Sequence, residues 1–214
     1  YSHTNTHTQI QLVDSHADRI VGLAHVSNGK TAGVCVSCGK DGTVRFFNPK
    51  TNSVDYTVYC HSKFTCLCGI TNCGLVAVGS EMGYLQIFSC EPSTYSDISE
   101  NRIFNGRIVS CQILEMLYQT DPEDKHAGFL TLVCSDNSLF FCKVTTESDQ
   151  RPQIDFWGSY KVTSEENTII TAICTGSYKT KNTNTAVIYV GFNQGDLFAI
   201  KYPSKKSDEN TYNK

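Results

Sequence analysis

The sequence predicts an all-β fold made of repeated four-stranded antiparallel units. Three observations carry that prediction. A strand–turn–strand unit recurs along the chain. Its strands are rich in Val, Ile, Thr, Phe and Tyr, the residues that suit a pleated, half-buried surface. Turn residues bound the strands at about 8–12-residue intervals, as in all-β folds. The clearest copy of the unit spans residues 34–48, with its turn at Asp41-Gly42; the second spans 75–89 around Met82-Gly83. A weaker third copy spans 130–142 around Asn137-Ser138, and a fourth spans 187–200 around Gly195. From Gly42 to Gly83 the spacing is 41 residues, within the roughly 40–45 residues of a propeller blade. The next two spacings, to Ser138 and then to Gly195, are longer. Polar stretches at 119–128 and 177–185 account for the excess as loop insertions.

Each unit divides into strands a to d. In the first, the strands are expected at 19–26, 31–38, 43–47 and 53–60. The second uses 64–70, 75–78, 84–88 and 102–104; the third uses 107–115, 129–134, 139–144 and 153–158. The fourth has three strands, at 167–175, 186–190 and 196–202. Residues 106–118 also admit a short helix, with Leu114 and Leu117 at helical spacing, but their place in the repeat favours a strand. Residues 10–13 read as a lone strand. That strand either completes the fourth unit and closes a ring, or is the outer strand of a preceding unit. We therefore expect a polar tail at 1–9, a propeller domain or segment at 10–204, and a second polar tail at 205–214.

Composition narrows the function classes. The chain has 214 residues, 40% hydrophobic and 18% charged, with 15 Gly and 5 Pro, which fits a folded domain rather than a disordered or collagen-like chain. Lys and Arg total 18 against 21 Asp and Glu, so the net charge is −3. That leaves no large basic field for direct nucleic-acid binding. No apolar run approaches the roughly 18–20 residues that span a bilayer. Eleven cysteines, an odd number, and no Asn-x-Ser/Thr acceptor point to free thiols in an intracellular compartment, cytoplasm or nucleus. The chain begins at Tyr1 rather than Met, and we expect it to be part of a longer protein.

The run from Ser37 to Asn48, S-C-G-K-D-G-T-V-R-F-F-N, resembles the end of a WD repeat, whose usual form is S-G-S-x-D-G-T-I-R-V-W-D. His16 precedes Phe47 by 31 residues, which suits the His of that family's Gly-His pair, although Ser15 stands in place of Gly. The resemblance implies a β-propeller of four-stranded antiparallel blades, about four in this chain. Seven blades, the family's usual number, would need roughly 280–315 residues, so the chain reads as a segment of a larger propeller, with a small ring or a blade-completing partner as alternatives. It also implies a structural tetrad of His16, Ser37, Asp41 and Phe47 that ties the first blade together. Phe47 stands where Trp would and lacks its N–H. The motif is specific only around residues 16–48; Phe88, Phe141 and Ile200 hold the Trp position elsewhere.

Residues with chemistry are few. Cys35 and Cys38 form C-x-x-C, but positions three apart on a strand face opposite ways. Cys66 and Cys68 share a face without a second pair at zinc-ligand spacing, so we expect buried apolar thiols and no metal. His3 and His7 lie in the polar tail. The glycines at 69 and 74 have phosphate-loop spacing, but Leu75 and Val76 follow where Lys and Ser/Thr are needed. His16 and Asp41 fit a structural pair better than a catalytic one. No catalytic residue and no cofactor are expected. What remains is surface: the d–a and b–c loops of WD propellers open on the binding face, which here would carry Asp18, Arg19, Lys40, Lys63, Glu81, Met82 and Arg107. The expected function is a non-catalytic scaffold subunit binding other protein subunits or peptides in a multisubunit eukaryotic complex. Alternatives are an enzyme with a pocket at the central channel, or a nucleic-acid-associated subunit acting through protein bridges.

Overall fold

The computed structural model describes residues 15–27, 33–146, 151–162, 167–179 and 184–202. The two tails, the lone strand at 10–13 and His3 and His7 lie outside the described residues. Among the described residues, fifteen strands form four antiparallel sheets, each in simple meander order. The first sheet holds β1 (Ile20–Val26), β2 (Val34–Gly39), β3 (Thr43–Asn48) and β4 (Ser53–Tyr59). The second holds β5 (Phe64–Ile70), β6 (Leu75–Ser80), β7 (Tyr84–Ser89) and β8 (Arg102–Arg107). The third holds β9 (Ile113–Thr120), β10 (Ala127–Cys134), β11 (Ser138–Thr145) and β12 (Gln153–Lys161). The fourth holds β13 (Ile170–Lys179), β14 (Asn184–Phe192) and β15 (Leu197–Lys201), and has three strands among the described residues.

The first strands of the sheets lie side by side: β5 packs between β1 and β9, and β13 packs against β9. The sheets therefore fan out from a shared inner edge, as propeller blades do. Between blades 1 and 2, Val36, Val44 and Phe46 meet Val76, Val78 and Phe88. Between blades 2 and 3, Leu75, Ala77 and Ile87 meet Ile113, Leu130 and Leu132. Between blades 3 and 4, Phe129, Leu139 and Phe141 meet Ile188, Val190 and Tyr202. Blades 2 and 3 are covered on both faces, so every residue of β6 and β10 is buried and neither strand alternates with polar positions. The two ends of the row differ. Leu23 on blade 1 and Leu197 on blade 4 are each 71% exposed.

Three details depart from expectation. Residues 106–118 contain no helix. They divide between the end of β8, a loop, and β9, which starts at Ile113 rather than 107. The cause is the blade 2 turn: the Ile108 N–H donates to the Gly83 carbonyl at 2.9 Å and ends the strand there. The β9–β10 insertion shrinks accordingly. Finally, the link from β7 to β8 is not plain loop. It includes a helical turn, α1 (Ile98–Asn101), capped by the Asp97 carboxylate, which accepts from the Ser99 N–H at 2.7 Å. This excursion lays Tyr95 parallel to Tyr56 at 5.0 Å and against Phe46 at 5.2 Å, closing the outer rim of the first blade interface.

Candidate interaction face

The four b–c turns share one device. Gly42, Gly83, Asn137 and Gly195 each have positive φ, between 62° and 96°, the left-handed conformation that favours Gly and Asn. In blade 3 that residue is Asn137, one position before the Ser138 expected from sequence. The left-handed residue aims its carbonyl at the next blade's entry loop. Gly42 accepts from the Cys60 N–H at 2.8 Å, Gly83 from Ile108 at 2.9 Å, and Asn137 from Val162 at 3.1 Å. Each loop then ties to its own blade's turn. Lys40 N–H donates to the Arg19 carbonyl at 2.9 Å, Glu81 to Lys63 at 3.1 Å, Ser135 to Gln112 at 2.9 Å, and Asn193 to Ile169 at 3.0 Å. Among the described residues, each loop between blades is thus pinned by a backbone hydrogen bond at either end.

On this frame the residues singled out from sequence fall into two groups, one on each of the first two blades. Asp18, Arg19 and Lys40 cluster on blade 1; Lys63 and Glu81 meet through their backbones on blade 2. Met82, 53% exposed, stands at the tip of the β6–β7 turn. Arg107 closes over it: its Nε donates to the Met82 carbonyl at 3.1 Å and Nη2 to the Ser110 carbonyl at 3.5 Å. The result is an exposed apolar side chain that follows Glu81 in the turn, with the Arg107 guanidinium held on its backbone carbonyl.

Beneath the face, at blade 1, His16 and Asp41 are nearly enclosed, their side chains 3% and 7% exposed. The Asp41 carboxylate sits 3.0 Å from His16 Nδ1 and accepts from it. Nε2 of a neutral ring is then the acceptor for the Ser37 hydroxyl at 2.8 Å. Asp41 also accepts from the Ala17 N–H at 2.9 Å, the Thr43 N–H at 3.1 Å and the Thr43 hydroxyl at 2.8 Å. Burial alone would raise the Asp41 carboxyl, but these donors outweigh it and hold it from its ordinary 3.8 down to about 2. Thr43 was not singled out from sequence, although its place two residues after Asp41 is the signal of a carboxylate-capped turn. Phe47 lies on the Ser37 face of the β2–β3 pair, two positions along, and has no N–H to extend the chain.

The cysteines divide by environment. Cys38 is buried against blade 2 while Cys35 pairs with Phe47 on the other face. Burial pushes the Cys66, Cys68 and Cys90 thiols up to about 12, which makes them apolar core residues rather than nucleophiles. The structure also joins three residues that sequence spacing did not connect: Cys111 in the β8–β9 loop, Cys134 at the end of β10, and Asp136 in the following turn. Asp136-Asn137-Ser138 repeats the Asp41-Gly42-Thr43 turn. The Asp136 carboxylate accepts from the Ser138 N–H at 3.2 Å and from the Ser138 hydroxyl. Burial first, then the nearby charges of Cys111 and Asp136, push Cys134 up to about 12. Residues 69–74 form the end of β5 and a single tight turn closed by Gly74, not a phosphate loop. Among the described residues, no helix is long and apolar enough to cross a membrane.

Four fanned antiparallel sheets, joined by pinned loops, define a segment of β-propeller. No family model matches the chain, and no curated protein matches it. Solved structures do. The chain is similar to BBS1N, crystallised in complex with ARL6DN, at 11% identity and a TM-score of 0.54, over 86% of this chain and 51% of that one. It is also similar to Kluyveromyces lactis Hsv2, at 12% identity and a TM-score of 0.47, over 69% of this chain and 49% of that one. The chain spans about half the length of either. At 11% identity the likeness to BBS1N shows the fold alone.

Proposed function

We propose that this chain is a segment of a WD-repeat-type propeller that acts without catalysis, as an intracellular scaffold binding protein partners on its loop face. The observation that carries the reading is the pinned rim with Met82 at its tip among Lys63, Glu81 and Arg107. A rigid backbone lowers the ordering cost of binding, and an apolar anchor within a charged rim is the usual anatomy of a protein interface. The blade 1 hydrogen-bond chain supports the WD-type assignment, because His16, Ser37 and Asp41 occupy the family's positions. BBS1N, a propeller-like neighbour, was crystallised with a protein partner, ARL6DN, in keeping with that use of the fold. His16 and Asp41 are enclosed and committed to each other, which favours the structural role over a catalytic one.

The test is comparative capture. The chain and its Glu81→Arg/Met82→Asp variant are used to enrich proteins from a eukaryotic cell extract. A control variant, Lys50→Glu/Asp55→Lys, alters the β3–β4 loop and the start of β4, at the other end of the blade 1 strands. A partner bound by the unaltered chain and by the control, but at least tenfold more weakly by the Glu81/Met82 variant, supports the reading. Equal binding by both variants overturns it.

A further inference from the structure

Where the β8–β9 loop meets the β10–β11 turn, the loop face carries a cluster separate from the residues assigned above to partner binding. We propose that Cys111, Cys134 and Asp136 bind a thiophilic divalent cation, with Zn²⁺ as the representative ion. Their ligand atoms all lie within 4.8 Å of one another. A tetrahedral Zn²⁺ with bonds near 2.3 Å to sulfur and 2.0 Å to oxygen sets its ligands about 3.5–3.8 Å apart. Closing the set therefore asks for roughly 1 Å of side-chain adjustment, within reach of χ rotations.

The backbone that presents these groups is already fixed. The Ser135 N–H holds the Gln112 carbonyl at 2.9 Å, so the loop bearing Cys111 is tied to the turn bearing Asp136. The Asn137 N–H holds the Cys134 carbonyl at 3.0 Å. Ser138 orients the carboxylate through its N–H and hydroxyl, the kind of outer support that ligating carboxylates have in metal sites. The comparison with blade 1 sharpens the point. There the same turn meets an imidazole, and His, Ser, Thr and Asp satisfy one another by hydrogen bonds. In blade 3 two thiols stand near the carboxylate, and thiols are weak donors and weak acceptors. Two sulfurs and a carboxylate suit a soft or borderline cation better than they suit each other. Cys134 is fully buried, Cys111 half-buried and Asp136 exposed. The cluster thus reaches the surface at Asp136. Among the described residues, no other group of three such donors comes together.

The full chain, with its thiols reduced and the reductant then removed, is titrated with Co²⁺ as an optical probe. A thiolate-to-cobalt charge-transfer band that saturates at one equivalent and is displaced by Zn²⁺ supports the site. Cys111→Ser and Asp136→Asn, each checked for folding by circular dichroism, are expected to weaken Co²⁺ binding at least tenfold. Cys174→Ser, at an exposed thiol outside the cluster, is expected to leave it unchanged. Absence of the band, undiminished affinity in both Cys111→Ser and Asp136→Asn, or a Cys111–Cys134 disulfide persisting under reductant overturns the proposal.

Discussion

Asp41→Asn removes the one charge at the heart of the blade 1 hydrogen-bond chain and leaves the side chain's shape nearly unchanged. The folded carboxyl sits at about 2 against an ordinary 3.8. A depressed folded value means that the ionised form favours the folded state. The stabilisation is thus complete above the unfolded value near 3.8 and fades as pH falls through about 2. Nearly two pKa units correspond to about 2 kcal/mol at neutral pH. This conversion is reasonable because the side chain is only 7% exposed. Linkage puts about half of that stabilisation at pH 3. Asn also turns one acceptor oxygen into a donor facing the Ala17 N–H or the His16 Nδ1 proton, so about 2 kcal/mol is a lower figure. For a chain of this size it lowers Tm by about 4–8 °C at pH 7. Thermal melts of the two proteins at pH 7, 5, 4 and 3 give the difference directly. The predicted curves converge as the pH drops. A constant gap at all four pH values, or no gap at pH 7, refutes the assignment of the stabilisation to the ionised carboxylate.

Phe46→Ala empties a fully buried site shared by Tyr56, Phe88 and Tyr95, and urea unfolding should show a loss of about 3–5 kcal/mol. Gly83→Ala and Gly195→Ala form an informative pair. At Gly83 the new methyl would clash with the Val109 carbonyl oxygen, whereas at Gly195 nothing lies within 4 Å. Melts should therefore show Gly195→Ala costing about 1 kcal/mol from its positive φ alone, and Gly83→Ala clearly more. Phe47→Trp supplies an N–H on the Ser37 face of β3 and should raise Tm by a few degrees, about 0.5–1 kcal/mol for one added hydrogen bond.

Strand composition and turn chemistry revealed most of the architecture because each blade is built locally. A meander of four strands needs only neighbouring segments, so Val, Ile and Phe runs punctuated by Asp-Gly and Met-Gly mark it directly. The errors fall where a long-range contact decides a boundary. Nothing in residues 106–115 says that β8 must end at Arg107; the Gly83 carbonyl in the β6–β7 turn says so. The helical turn at Ile98–Asn101 was missed for a similar reason, since it belongs to an excursion whose Tyr95 packs onto Phe46 in a different blade. In blade 1 the resemblance supplied His16, Ser37 and Asp41, and local turn chemistry would have supplied Thr43. The cluster at Cys111, Cys134 and Asp136 was not legible, because Cys111 reaches Cys134 and Asp136 only through the pairing of β9 with β10, which sets Ile113 opposite Cys134. Its one sequence trace is Asp136-Asn137-Ser138, a copy of Asp41-Gly42-Thr43 with Asn as the left-handed residue.

Amide hydrogen exchange at Cys60, Ile108 and Val162 tests the pinned face most directly. These loop N–H groups donate to the left-handed turn residues Gly42, Gly83 and Asn137 of the neighbouring strands. Protection comparable to that of flanking strand amides is the predicted result. Exchange at the rate of open, solvated loops would show a face without fixed backbone, and the platform described here would not exist.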